Sequence, residues 1–262
     1  MIKLIATDID GTLLHSDHTL PEDLTELIQT LHAHSIVFSV ASGRPYLTLK
    51  QSFEPLSPNI LYIADNGSHV VYQGKEIAVH AIDNSIITEL ILITREISRA
   101  YSVVCTTNGA FVESAEPAFL TELEKYYVKY TVVDDLTKLN ESVIKYTVCD
   151  LNGAEEGSYP KFLPYKEKLQ LSVAGFVWLD CMKKGINKGT AIKEIQSLYH
   201  IAPEESMAFG DYLNDLEMMQ SVYYSFAMAN AHEDLKKASR FETTSNDEDG
   251  VTTKIREICD LT

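Results

Sequence analysis

The chain has 262 residues, 22 of them Lys or Arg and 38 Asp or Glu, for a formal net charge of −16 at pH 7. With 45% hydrophobic residues it reads as globular, long enough for one domain with a large insertion or for two domains. The acidic balance argues against nucleic acid and anionic membrane surfaces as partners, and no run of about 18 apolar residues could span a bilayer.

Residues 2–7 predict a strand, and Pro21 and Glu22 open a helical pattern with Leu24, Leu27, Ile28 and Leu31 at helical spacing. Apolar strands follow at 36–41 and 60–64, with a helical stretch between them. Strand, helix, strand, helix, strand implies right-handed crossovers and a buried parallel sheet. Asn66-Gly67 and Gly74 mark turns around a hairpin, at 69–72 and 76–79. After Asp83 the grammar changes. A helix at 86–97, strands at 103–107 and 110–114, a helix near 117–125, a strand at 143–149, a helical piece near 159–168 and strands at 169–173 and 175–180 suggest an α+β unit. Alternation then returns with a helix at 188–199, a strand at 206–210, a helix from Asn214, a strand at 223–228 and a last helix at 249–259; residues 243–249 are expected as an exposed loop. The predicted fold is α/β, a doubly wound and mainly parallel sheet built from residues 1–82 and 185–262, with an α+β cap inserted at 83–184 and a hinge near Ile82 and Lys184.

The start, MIKLIATDIDGTLL, is too short in apolar residues and too acidic for a signal peptide. Cys105, Cys149, Cys181 and Cys259 lie far apart, without zinc-finger spacing, and are expected as reduced thiols of a cytoplasmic protein. Neither GxGxxG nor a P-loop is present.

Ligands of an open parallel sheet bind outside the carboxyl ends of its strands. Those ends here run into Asp8-Ile9-Asp10-Gly11-Thr12, Ser42-Gly43-Arg44, Asp65-Asn66-Gly67 and Asp211-Tyr212-Leu213-Asn214-Asp215. Asp8, Asp10 and Asp211 would meet in one small volume, with Asp215 four residues after Asp211 on the same side. Carboxylates that close repel unless a cation sits among them, and oxygen donors without His or Cys select Mg²⁺. Lys188 adds a positive charge, and Ser42 with the amides near Gly43 and Gly11 offers donors, a pocket suited to a phosphate dianion. Thr12 joins this expected phosphate-binding set. One carboxylate could attack phosphorus while a second protonates the leaving alkoxide and then activates water, roles that Asp8 and Asp10 could fill.

The segments DIDGTLL at 8–14, ASGRP at 41–45, GINKG at 185–189, GDYLNDLEM at 210–218 and AMANA at 227–231 resemble, in order and spacing over the whole chain, the haloacid dehalogenase superfamily. The likeness is to its Cof-type phosphatases with the larger α/β cap. The resemblance implies Asp8 as nucleophile, Asp10 as general acid and base, and Ser42 and Lys188 as phosphate ligands. It implies Asp211 as a metal ligand beside Asp8 and the Asp10 carbonyl, Asp215 as the outer carboxylate of the metal site, and Asn214 in contact with the phosphate. Asp65 is a departure, since relatives often carry an uncharged residue there. The implied activity is Mg²⁺-dependent hydrolysis of small phosphomonoesters such as sugar phosphates; a hexose-phosphate phosphotransferase or mutase and a catalytically silent phosphate-binding module are the alternatives.

Several residues carry two readings. Arg44 is either a phosphate or substrate contact or a brace of the loop through a carboxylate. His15 and His18 are read as solvated loop residues, and His32 and His34, two apart on a helix, cannot share a face. Tyr126, Tyr127 and Tyr130 are read as packing residues of the insert, and Trp178 as core or as part of the junction between insert and core. The partner expected is a small phosphorylated metabolite, with the oligomeric state unread.

Overall fold

The computed structural model describes residues 1–54 and 56–261. Strand β1 (Leu4–Thr7) is buried throughout, as an apolar run at the centre of a parallel sheet must be. Helix α1 (Leu24–Ala33) turns Leu24, Leu27, Ile28 and Leu31 inward, and β2 (Val37–Ala41), α2 (Tyr46–Ser52) and β3 (Ile60–Ala64) complete two crossovers. The expected hairpin is β4 (His69–Tyr72) and β5 (Lys75–Val79).

The middle of the chain forms α3 (Asn84–Arg95), β6 (Ala100–Thr106), β7 (Gly109–Val112), α4 (Pro117–Leu123), β8 (Tyr130–Val132), β9 (Lys145–Asp150), α5 (Tyr159–Phe162), β10 (Leu169–Ala174) and β11 (Trp178–Lys183). The last stretch returns to α/β alternation with α6 (Lys188–Tyr199), β12 (Ser206–Gly210), α7 (Leu216–Met219), β13 (Tyr224–Ala227), α8 (Glu233–Ala238), β14 (Phe241–Glu242) and α9 (Gly250–Cys259). A capping box between Asn187 and Thr190 starts α6 and fixes Lys188 as its first residue.

Two sheets result. The larger has the order β14-β13-β12-β1-β2-β3-β4-β5, parallel from β14 to β3 and antiparallel through β4 and β5. The chain winds one way from β1 through β2 and β3 and the other way through β12, β13 and β14, so the direction reverses beside β1. Right-handed crossovers then put helices on both faces. Thr7 pairs with Val40 on one side and Phe209 on the other, which sets the carboxyl ends of β1, β2 and β12 level at that reversal. The smaller sheet, β10-β11-β9-β6-β7-β8, is antiparallel except for β7 with β8. The buried apolar residues divide the same way: one cluster draws on residues 2–71 and 191–255, and two others on 82–181.

Three short elements, β8, α8 and β14, have no counterpart among the predicted ones, because a few residues show no period. The helix expected from Asn214 is a 3-10 turn, Leu213–Asp215, followed by the short α7. The expected exposed loop at 243–249 is corrected in part. Asn246 is buried and donates to the Leu14 carbonyl at 2.8 Å, Asp247 accepts from Ser16, and Asp249 bonds His15. A polar segment buries where it satisfies backbone groups of a neighbouring loop, which polarity alone does not reveal. His15 is therefore tied to Asp249 rather than free in solvent. Among the described residues no helix is long and apolar enough to cross a membrane.

Candidate active site

Asp8 follows β1 and is held there by a backbone bond from its N–H to the Phe209 carbonyl, 3.0 Å, across to β12. The chain then turns through Gly11, whose φ of +79° suits glycine and where a Cβ would lie 2.5 Å from an Asp211 carboxylate oxygen. That close approach lets the loop after β1 fold against the loop after β12. Asp211 follows β12, and its backbone N–H donates to Asp215 at 3.1 Å, as does that of Tyr212 at 3.3 Å. Asp215 thus organises its own turn while its other oxygen faces Lys188.

The Lys188 ammonium donates to Asp8 Oδ1 and Asp215 Oδ1, each at 2.7 Å. Oxygens of Asp8, Asp211 and Asp215 lie within 4.8 Å of one another. Three segments far apart in sequence therefore converge on one point. Three carboxylates facing one ammonium leave an excess of negative charge in a buried place. Burial, with Asp215 and Asp211 adding to it against Lys188, pushes the Asp8 carboxyl well above the usual range. Burial and then Asp215 push Asp211 up to about 6. Burial works to lower Lys188, but Asp215 and Asp8 outweigh it and keep the ammonium charged. The donors are all oxygens, and one added divalent cation would balance the formal charge, which is the set expected of a hard metal such as Mg²⁺.

The other expected residues fall into place around this cluster, with one standing apart. Asp10 points to Arg44, whose guanidinium donates through Nε at 2.9 Å and through Nη2 as well; the loop-bracing alternative for Arg44 is the contact made. Ser42 accepts the Arg44 N–H at 3.2 Å. Asp8, Asp10, Ser42, Gly43, Arg44, Asp211 and Asn214 all line one cavity of about 700 Å³ between the two sheets. Thr12 does not line it: the hydroxyl is buried and donates to Asp211 at 2.9 Å. Lys188 is likewise fully buried behind Asp8.

The far wall of the cavity is aromatic and comes from the middle of the chain. Trp178 meets Tyr126 edge-on at 5.8 Å between ring centroids, and Arg44 lies 5.6 Å from the Tyr126 ring. Tyr127 is buried, and it lines the cavity together with Tyr126, so the packing reading is corrected at both. Sequence reasoning missed Asn230, which donates to the Gly11 carbonyl at 2.8 Å, and a buried group formed by Lys145, Asp65, Asn66 and Asp180. The Asp65 departure was the available signal for the latter. Its partner is a lysine inside an apolar strand pattern, which carries no mark of its own.

The sequence model of haloacid dehalogenase-like hydrolases matches residues 5–255. The 5-amino-6-(5-phospho-D-ribitylamino)uracil phosphatase YbjI of Escherichia coli is 29% identical over 95% of this chain and 93% of its own length. An HMP-PP phosphatase of Escherichia coli is 29% identical over 90% of this chain and 87% of its own. The crystal structure of SMU.1108c from Streptococcus mutans matches with a TM-score of 0.90 at 26% identity, over 99% of this chain and all of the other.

Proposed function

The chain belongs to the haloacid dehalogenase-like hydrolases and is a phosphatase of that family, and from this premise we propose that it hydrolyses small phosphomonoesters, sugar phosphates among them, with Mg²⁺ and through an aspartyl phosphate on Asp8. The observation that carries the reading is the convergence of Asp8, Asp211, Asp215 and Lys188 at the mouth of β1 and β12, facing a cavity of metabolite size. Residues 1–82 and 185–262 then form the catalytic unit, and 83–184 the unit that covers the cavity and selects the leaving group. The substrate in the name of the YbjI phosphatase, a phosphorylated ribitylamino chain on a uracil, suits a cavity with an aromatic far wall.

Asp8, Asp211 and Asp215, with the Asp10 carbonyl, are the groups that would hold the metal. A bound Mg²⁺ supplies positive charge that offsets the repulsion between a carboxylate and a phosphoryl group. The remaining work falls to the chain. Lys188 fixes the Asp8 carboxylate, and one Asp8 oxygen forms a bond to phosphorus as the bond from phosphorus to the leaving oxygen breaks. Asp10 gives its proton to that departing alkoxide. Water then attacks the phosphorus of the acyl phosphate, Asp10 takes back a proton, and inorganic phosphate leaves with Asp8 restored. Ser42, the Gly43 amide and Asn214 contact the phosphoryl oxygens, and Asp10, both of whose oxygens accept from Arg44 here, leaves that pair to carry the proton.

Phosphate release from a panel of about a hundred phosphorylated metabolites in Mg²⁺ tests the proposal. Hydrolysis of several of them, abolished reversibly by EDTA, is expected. Transfer of the phosphoryl group to a second sugar without free phosphate would point to the mutase reading. No turnover of any compound would point to a binding module.

A further inference from the structure

The segment Ser42-Gly43-Arg44 has each of its three carbonyls held from outside. Ser42 accepts the Asn66 N–H at 2.9 Å and Arg44 the Asp65 N–H at 3.1 Å; both donors sit in the loop after β3. The middle carbonyl, that of Gly43, accepts the Lys145 ammonium at 2.6 Å. Lys145 opens β9 in the other sheet. A trans peptide sets C=O and N–H on opposite sides, so holding the Gly43 carbonyl fixes the Arg44 N–H, which donates to the Ser42 hydroxyl at 3.2 Å and so places that phosphate contact.

Lys145 is 1% exposed and faces Asp65 at 3.0 Å and Asp180 at 3.7 Å. Its hydrogen bond goes to Gly43, with the two carboxylates as ion-pair partners, and Lys145, Asn66 and Asp180 stand on the wall of the same cavity. The grip continues one turn into α2. Thr48 donates to the Tyr126 carbonyl at 2.8 Å and accepts the Val128 N–H at 3.3 Å, and Asn66 donates to Asp180 at 2.9 Å. Tyr126, Val128, Lys145 and Asp180 all belong to the middle of the chain, while Gly43, Thr48, Asp65 and Asn66 belong to the first stretch.

We infer that Lys145 is a positioning residue: through it the inserted segment sets the Gly43–Arg44 peptide, so that the grip of residues 42–44 on a phosphoryl group depends on the insert being docked. The inference rests on the phosphate-binding reading of those residues. A lysine that merely joined the two sheets would lower thermal stability when removed and leave anion affinity alone.

The double variant Lys145→Met/Asp65→Asn removes one charge of each sign, leaving Asp180 to its bonds from Thr147 and Asn66. Calorimetric titration with inorganic phosphate and, separately, with Mg²⁺ compares it with the wild type. The expected result is a phosphate Kd weaker by about tenfold or more, with KM rising likewise and kcat falling less. The Mg²⁺ Kd should stay within about twofold, and Lys145→Arg should fall between the two proteins. A phosphate Kd within about twofold of wild type in the folded double variant overturns the inference. Should that variant not fold, Thr48→Val serves instead: a loss of about threefold in phosphate affinity is expected, and unchanged affinity overturns the inference. If the wild type itself neither binds phosphate nor hydrolyses any phosphomonoester, the failure lies in the catalytic reading and not in the role of Lys145.

Discussion

Two lysines, Lys188 and Lys145, are buried among carboxylates within one molecule, and the balance of charge around each differs. Lys188 meets Asp8 and Asp215 at 2.7 Å with Asp211 alongside, one ammonium against three carboxylates, with Asp8 and Asp211 on the cavity wall. Lys145 meets Asp65 and Asp180 and a backbone carbonyl, and Asp180 is further satisfied by Thr147 at 2.7 Å and Asn66 at 2.9 Å. The first group is short of positive charge; the second, whose Lys145 and Asp180 also stand on the cavity wall, is closer to balance and ties two sheets together. Similar residues thus make a site in one place and a joint in the other, and the surplus carboxylate decides which.

The sharpest break between the two is Asp8→Asn. Turnover is expected to fall by at least about a thousandfold, since the attacking group is gone. The melting temperature should not fall, because burial already disfavours the Asp8 charge and the amide keeps its shape. Activity near wild type would remove Asp8 from the chemistry.

Single lysine deletions separate the groups next. Lys145→Met strands Asp65 and Asp180 in the interior and should cost about 3–5 kcal/mol in denaturant titrations. Lys188→Met should also destabilise, but Mg²⁺ should restore much of that loss and none of the loss at Lys145. Equal rescue of both would erase the distinction drawn between them.

The parts of the molecule differ in how far they could be read from sequence. The β1, β2, β3 and β12 strands are continuous apolar runs ending in acidic or glycine-rich loops, so both the sheet and its working end were legible. The approach of Asp8, Asp211 and Lys188 followed from that topology. The Lys145 joint did not, because its members come from the loop after β3 and from β9 and β11, in two different sheets, and no local pattern reports which faces of two sheets meet. The role of Thr12 was hidden for a related reason: its hydroxyl turns to Asp211, a contact between loops 199 residues apart. The aromatic side of the cavity was misjudged at Tyr126 and Tyr127, since aromatic side chains line cores and cavities with the same residue types.

Ligand linkage gives a smaller effect. Mg²⁺ at about a hundred times its Kd should stabilise the wild type by about 2.7 kcal/mol, reversibly with EDTA. Asp211→Asn should lose most of that gain, and the Lys145→Met/Asp65→Asn variant should keep it. A gain surviving in Asp211→Asn would move the metal elsewhere.

The smallest effect lies far from both lysines. Hydrogen bonds from Arg95 hold the Glu113 carboxyl below its usual range, and Thr137 and then Arg95 do the same for Asp135. A depressed folded value contributes stability above the unfolded pKa and loses it as pH falls through the folded one. The contribution should therefore be complete at neutral pH and fade below about pH 4. Glu113→Gln should flatten that acid limb and change neutral stability by less than about 1 kcal/mol; an unchanged acid limb would show that the pair contributes nothing.

Acid quenching of the wild type during turnover of a phosphomonoester in Mg²⁺, followed by peptide mapping, tests the nucleophile directly. A phosphoryl group is expected on the tryptic peptide spanning residues 4–50, since the Arg44-Pro45 bond resists trypsin, placed by fragment ions on Asp8 and not on Asp10, and absent from Asp8→Asn. A phosphoryl group on any other residue, or steady turnover with none on the chain, would contradict it.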